Sequence, residues 1–172
     1  AASRPAADLP SPTGSRLIAT VAPRPTGETC LSVTEKSRPT QLLVERCTYG
    51  QLWPSSIHVS PRGNALTVAV QPLAEWRELW IFHSVAGTWT ADVVVPGSAT
   101  GLGYVEWAGW TPDGKSMLAA RETLQDGRHS RSFELLDLET LTVTRKAQRP
   151  GDLTPFYRWQ SPEWRSQTLA LR

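Results

Sequence analysis

Apolar residues fall along this chain in short bursts, each broken after a few positions by Ser, Pro, Gly, Asn or Asp. Ala65-Leu66-Thr67-Val68-Ala69-Val70 and Met117-Leu118-Ala119-Ala120 are typical, and Val and Trp recur in the others. β-Branched and aromatic residues suit a pleated, half-buried surface, so the bursts predict strands. No stretch sustains the apolar spacing of three and four that a long helix requires. The pattern predicts an all-β chain with strands at 17–21, 30–34, 41–45, 56–59, 65–70, 78–83, 89–95, 104–110, 116–121, 132–136, 141–145, 156–159 and 167–171.

The breaks themselves repeat. Trp110-Thr111-Pro112-Asp113-Gly114-Lys115 reads as a strand end and a tight turn, in which Pro112 presets φ, Asp113 bonds nearby backbone and Gly114 accepts a positive φ. Ser11-Pro12-Thr13-Gly14, Ser60-Pro61-Arg62-Gly63 and Ser161-Pro162 also precede apolar bursts, and the four prolines are spaced 49, 51 and 50 residues apart. A period near fifty built of short strands is the signature of propeller blades. Residues 1–10, rich in Ala and Pro, read as a flexible N-terminal segment with no recognisable strand before Ser11. The rest reads as one repeat domain, 11–172, with repeats at 11–59, 60–110 and 111–160 and a partial one at 161–172, where Glu163-Trp164 replaces the expected Gly. That makes about three and a half blades of four antiparallel strands, fewer than the four or so a closed ring needs. The expectation is a partial propeller, open, completed by a second copy, or continued by blades upstream.

The Ser/Thr-Pro-x-Gly turn followed by an apolar strand resembles the TolB-type (WD40-like) propeller repeat, most closely at Trp110-Thr111-Pro112-Asp113-Gly114-Lys115, while Asp137-Leu138-Glu139-Thr140 fits that family's later turn. The resemblance implies four-stranded blades and exported or periplasmic proteins that mostly bind other proteins. Similar blades also form the gating propeller of prolyl-oligopeptidase-like enzymes.

Composition narrows the partners. The chain has 172 residues and a net charge of +2, with 18 basic and 16 acidic side chains dispersed along it. A nucleic-acid ligand would call for a concentrated basic patch, and a membrane span for a long apolar run; neither is expected here. Cys30 and Cys47 flank the breaker Ser37-Arg38-Pro39-Thr40; a hairpin centred on Arg38 and Pro39 sets them opposite each other, within disulfide reach. The alternative is two unrelated buried thiols. A bridge implies an oxidising compartment, hence a periplasmic or secreted protein. Ala1 to Asp8 would suit the tether of an exported or lipid-anchored chain after removal of a leader, or equally a cut in a longer chain.

No motif for chemistry emerges. Gly-x-Ser-x-Gly, Cys-x-x-Cys and His-Glu-x-x-His are absent, and Gly101-Leu102-Gly103 is too short to cradle a phosphate. His58 and His83 alternate with apolar residues and read as sheet histidines rather than bases. The chain is expected to hold no metal or cofactor and to catalyse nothing. Trp80, Trp110, Phe133 and Trp159 read as core between blades. Trp76 lies beside Arg77 in a polar stretch, the composition of an interface anchor, or of a ring folded back to cap a blade. Loops 71–77 and 122–131 should neighbour each other and present Trp76, Arg77, Arg128, His129 and Arg131 to an acidic protein surface. The expected function is a non-enzymatic, exported protein-binding module with self-association as one possible mode. The alternatives are the propeller portion of a serine hydrolase and a small bacterial immunity or inhibitor protein.

Overall fold

The computed structural model describes residues 7–9, 16–97, 102–125 and 127–167. The first copy of the turn, at 11–14, and all but the first residue of the strand expected at 167–171 lie outside these residues; Gln167 itself is helical. Twelve strands are present among the described residues: β1 (Ala7–Leu9), β2 (Leu17–Pro23), β3 (Thr29–Glu35), β4 (Arg38–Thr48), β5 (Gln51–Val59), β6 (Ala65–Leu73), β7 (Trp76–Val85), β8 (Thr88–Val94), β9 (Gly103–Trp110), β10 (Ser116–Gln125), β11 (Arg128–Asp137) and β12 (Val143–Ala147). They form three antiparallel meanders, β1–β4, β5–β8 and β9–β12, each a four-stranded propeller-type blade. A two-residue parallel bridge, Trp76 to Gly103 and Arg77 to Tyr104, joins the second blade to the third. The first blade includes a strand where the sequence reading expects none: Ala7–Leu9 pairs with Val21, Thr20 and Ala19 of β2.

The recurring turn has a physical reason at each position. Gly63 N–H donates to Ser60 O at 2.9 Å, and Gly114 N–H to Thr111 O at 3.0 Å. Both glycines take a positive φ, +65° and +71°, which a side chain would strain. The opening hydroxyl closes the turn: Ser60 Oγ accepts from Ala65 N, and Thr111 Oγ1 from Ser116 N, each at 3.0 Å. Successive turns are linked, since Asn64 Nδ2 donates to Gly114 O at 2.9 Å.

Alternation along the strands sorts side chains into three layers. Leu17, Ala19, Leu31 and Val33 of the first blade meet Leu66, Val68, Val70, Trp80 and Phe82 of the second. Ala65, Leu79 and Ile81 point the other way, onto Val105, Trp107, Met117, Ala119 and Leu136 of the third. Leu118, Ala120 and Phe133 face outward from the third blade and are covered by Leu153, Phe156 and Trp164.

Those last three residues belong to a segment that departs from expectation. In place of the strand expected at 156–159 stands a helix, α1 (Thr154–Trp159), followed by α2 (Pro162–Gln167). Pro155 sits in the first turn of α1, where its fixed φ and missing N–H are tolerated. At Ser161-Pro162 the residue corresponding to the turn glycine is Trp164, so the left-handed turn is unfavourable; Arg165 N–H instead bonds Ser161 O at 3.1 Å and a helix begins. The chain here crosses β9 closely. Ser161 N–H donates to Ala108 O at 2.7 Å, and a Cβ on Gly109 would lie 2.5 Å from Trp159 O.

Two hairpins also differ from expectation. The β3–β4 turn falls at Lys36 and Ser37, ahead of Arg38 and Pro39. Irregularities after Val33 and Thr34 restore the register, so that Cys30 still faces Cys47. The stretches 122–125 and 128–131, expected as loop, continue the ladder instead, with Leu124 opposite His129 and Gln125 opposite Arg128.

Candidate binding surface

The β6–β7 and β10–β11 hairpins emerge at the same end of their blades, opposite to the Ser/Thr-Pro turns. The start of β9 lies between them: Gly103 N–H donates to Glu75 O at 2.9 Å, and Gly103 pairs with Thr123. A shallow cleft of about 320 Å³ separates the hairpins, lined by Glu75, Tyr104, Glu122, Leu124 and His129 among others.

The five candidate residues divide on burial. Trp76 opens β7 rather than occupying a loop, and it is 4% exposed. Its Nε1–H donates to Glu78 Oε1 at 3.1 Å. This corrects the reading of Trp76 as an exposed anchor: β6 runs on to Leu73, and the parallel bridge to Gly103 carries the ring into the molecule. Arg77 is also drawn inward, bonding Glu106 Oε1 at 2.6 Å with its guanidinium 5.0 Å from the Tyr104 ring centre. Arg128, His129 and Arg131 are exposed on β11. Buried Glu122 gathers two of them, with His129 Nδ1 at 3.3 Å and Arg131 Nε at 3.7 Å from its Oε1. The solvent-facing part of the surface is therefore one hairpin arm carrying two guanidiniums and an imidazole.

Glu106, which the sequence did not single out, is the junction beneath this surface. Besides Arg77 it receives Trp164 Nε1–H on Oε2 at 3.1 Å, tying β7, β9 and α2 together. The partners are 29 and 58 residues away, so no local pattern could have revealed it.

The histidines of the sheets have structural partners. Both ring nitrogens of buried His83 face acceptors, Leu138 O at 2.6 Å and Asp92 Oδ2 at 2.7 Å. His58 stacks on Trp107 with ring centres 3.6 Å apart, and its Nε2 lies 3.0 Å from Glu163 Oε2. Glu28, Cys30 and Cys47 come close enough to suggest a metal cluster. Both sulfurs are, however, consumed in the Cys30–Cys47 disulfide, which leaves no thiolate to ligate. Two turn carboxylates of the third blade have lowered pKa values. Asp113 is lowered chiefly by the Thr111 hydroxyl, then by the Lys115 N–H; Asp137 chiefly by the Thr140 N–H.

No protein-family model matches the chain, and no curated protein sequence matches it. Solved structures with a similar course of chain include the acylaminoacyl peptidase of Pyrococcus horikoshii, at 13% identity and TM-score 0.47 over 83% of this chain and 25% of that one. An uncharacterized protein of Listeria monocytogenes EGD-e is similar at 8% identity and TM-score 0.48, over 83% and 42% of the two chains. TolB of Acinetobacter baumannii is similar at 19% identity and TM-score 0.38, over 76% and 29%. The chain thus spans between a quarter and about two fifths of the length of these structures.

Proposed function

We propose that this chain is a non-enzymatic protein-binding module on a propeller-blade scaffold, working in an oxidising compartment outside the cytoplasm. The observation that carries the reading is the β10–β11 arm, which extends the ladder to Gln125 and Arg128 and holds Arg128, His129 and Arg131 in solvent. Cationic side chains on a rigid ladder orient an acidic partner, and Arg is enriched in interface hot spots. The disulfide supports that compartment, since such bridges persist where glutathione does not reduce them. In the described residues no helix is long and apolar enough to cross a membrane.

Site-directed photo-crosslinking in the native host is the test. A benzophenone residue at position 128 should trap one discrete protein, whereas the same residue at exposed Lys115, at the opposite end of β10, should not. Equal yields from both positions, or none from 128, would reject the arm as the binding surface.

A further inference from the structure

Between β11 and the segment that follows β12 runs a groove of about 740 Å³. Its walls include Arg131, Arg149 and Arg165, and its floor includes Phe133 and Trp164. We propose that this groove binds an extended acidic segment of a partner protein, with an apolar or aromatic side chain seated on the floor. The inference rests on the protein-binding reading above and adds to it the class of ligand and a second place of contact, which adjoins the arm at Arg131.

The floor is built to hold its shape. Phe133 and Trp164 are 4% and 8% exposed, and both pack edge-on against Phe156, with ring centres 5.4 and 5.9 Å away. Glu106 takes the indole N–H of Trp164 and so fixes the ring's orientation. A preformed apolar floor accepts a ligand ring without the cost of ordering its own side chains. Pro150 and Pro162 stiffen the backbone on either side of the opening, and the Gln160 amide offers both a donor and an acceptor to a main chain lying in it.

Charge identifies the occupant. Among the described lining residues three are arginines and none is acidic. Arg131 is already tied to Glu122, and Arg149 Nε lies 3.5 Å from Asp152, which is exposed and stands three residues along the chain. Arg165 is exposed on α2. Guanidiniums at the lip of an apolar floor match carboxylates in fork-to-fork geometry, and a peptide alternating acidic and apolar residues meets both requirements. A nucleic acid fits less well. Phe133 and Trp164 are only 4% and 8% exposed, which leaves little ring face for bases to stack on, and the whole chain carries a net charge of only +2.

Fluorescence anisotropy tests the inference. The probes are fluorescein-labelled eight-residue peptides of alternating Asp and Phe, alternating Lys and Phe, and alternating Asp and Gly, together with an eight-nucleotide single-stranded DNA. The Asp/Phe peptide should bind at least about tenfold more tightly than the other three. The double variant Arg149→Glu/Arg165→Glu should weaken it by a similar factor with an unchanged melting curve, and Arg149→Gln/Arg165→Gln serves if the reversal unfolds the chain. Arg128→Glu, outside the groove, should leave this affinity within about twofold. Preferred binding of DNA, or of either control peptide, would overturn the assignment. So would Asp/Phe binding that ignores both double variants, or a dimer that they abolish, which would make a second copy the occupant. Should crosslinking from position 128 succeed while the Asp/Phe peptide fails to bind, the groove is refuted and the module is not; the converse result removes the arm alone.

Discussion

The outward faces of the first and third blades are built in two different ways. On the third blade, Leu118, Ala120 and Phe133 present an apolar face like those buried between blades, and α1 and α2 cover it with Leu153, Phe156 and Trp164. On the first blade, the residues alternating with the buried Leu31 and Val33 are Cys30, Ser32 and Thr34. There Glu45 accepts from Ser32 Oγ at 2.6 Å and from Arg24 Nη2 at 2.7 Å, and the disulfide ties β3 to β4. One face relies on burial beneath a helical cap, the other on side chains that tolerate water and on a covalent tie. The difference teaches that the same four-stranded unit can carry an outer face suited to burial or one suited to water.

The largest way to break the comparison is to empty the capped layer. Phe156 is fully buried at its centre, so Phe156→Ala should cost about 3–5 kcal/mol in denaturant-unfolding free energy. Ile18→Ala, at a half-buried position of β2 alternating with the buried Leu17 and Ala19, should cost only about 1 kcal/mol. Equal losses would erase the distinction between the two faces. Trp76→Ala, at the junction of the second and third blades, should also cost about 3–5 kcal/mol; a variant of native stability would return Trp76 to the exposed role the sequence suggested.

Next in size is the covalent tie. Cys30 and Cys47 are 17 residues apart, and closing a loop of that length is worth about 3 kcal/mol in the chain-entropy model. Cys30→Ser/Cys47→Ser should lose about that much. Hydrogen exchange should show the loosening in β3 and β4, with the α1–α2 cap unaffected.

The smallest effect sharpens the contrast through pH. Asp113 and Asp137, both in third-blade turns, have folded pKa values below the ordinary 3.8. A depressed carboxylate contributes stability that is present above its unfolded pKa and is lost as pH falls through the folded one. Unfolding titrations below about pH 4 should therefore show a loss that Asp113→Asn diminishes. An unchanged pH slope in that variant would remove Asp113 from the account.

Much of this was legible in the sequence because strand alternation and turn chemistry are local. The bursts at 65–70 and 116–121 fall within β6 and β10, and the Ser60 and Thr111 turns close as their residues dictate. The cap is not legible in the same way. Phe156, Tyr157 and Trp159 suggested a strand by composition, although Thr154-Pro155 and Ser161-Pro162 are acceptable helix starts. The burial of Trp76 is hidden because Gln71, Glu75, Arg77 and Glu78 give the hairpin a polar look, and nothing local records the bridge to Gly103. The pairing of Glu106 with Arg77 and Trp164 arises only once three elements meet.

The central claim is that α1 and α2 belong to the cooperative fold as the cover of the third blade. Native-state hydrogen exchange read by mass spectrometry tests it most directly. If the claim holds, peptides spanning 153–166 exchange at the rate of β9, β10 and β11, and Phe156→Ala accelerates the helices and β11 together. Rapid exchange of 153–166 while β9–β11 stay protected would contradict it, because the third blade would then keep its fold without a cover.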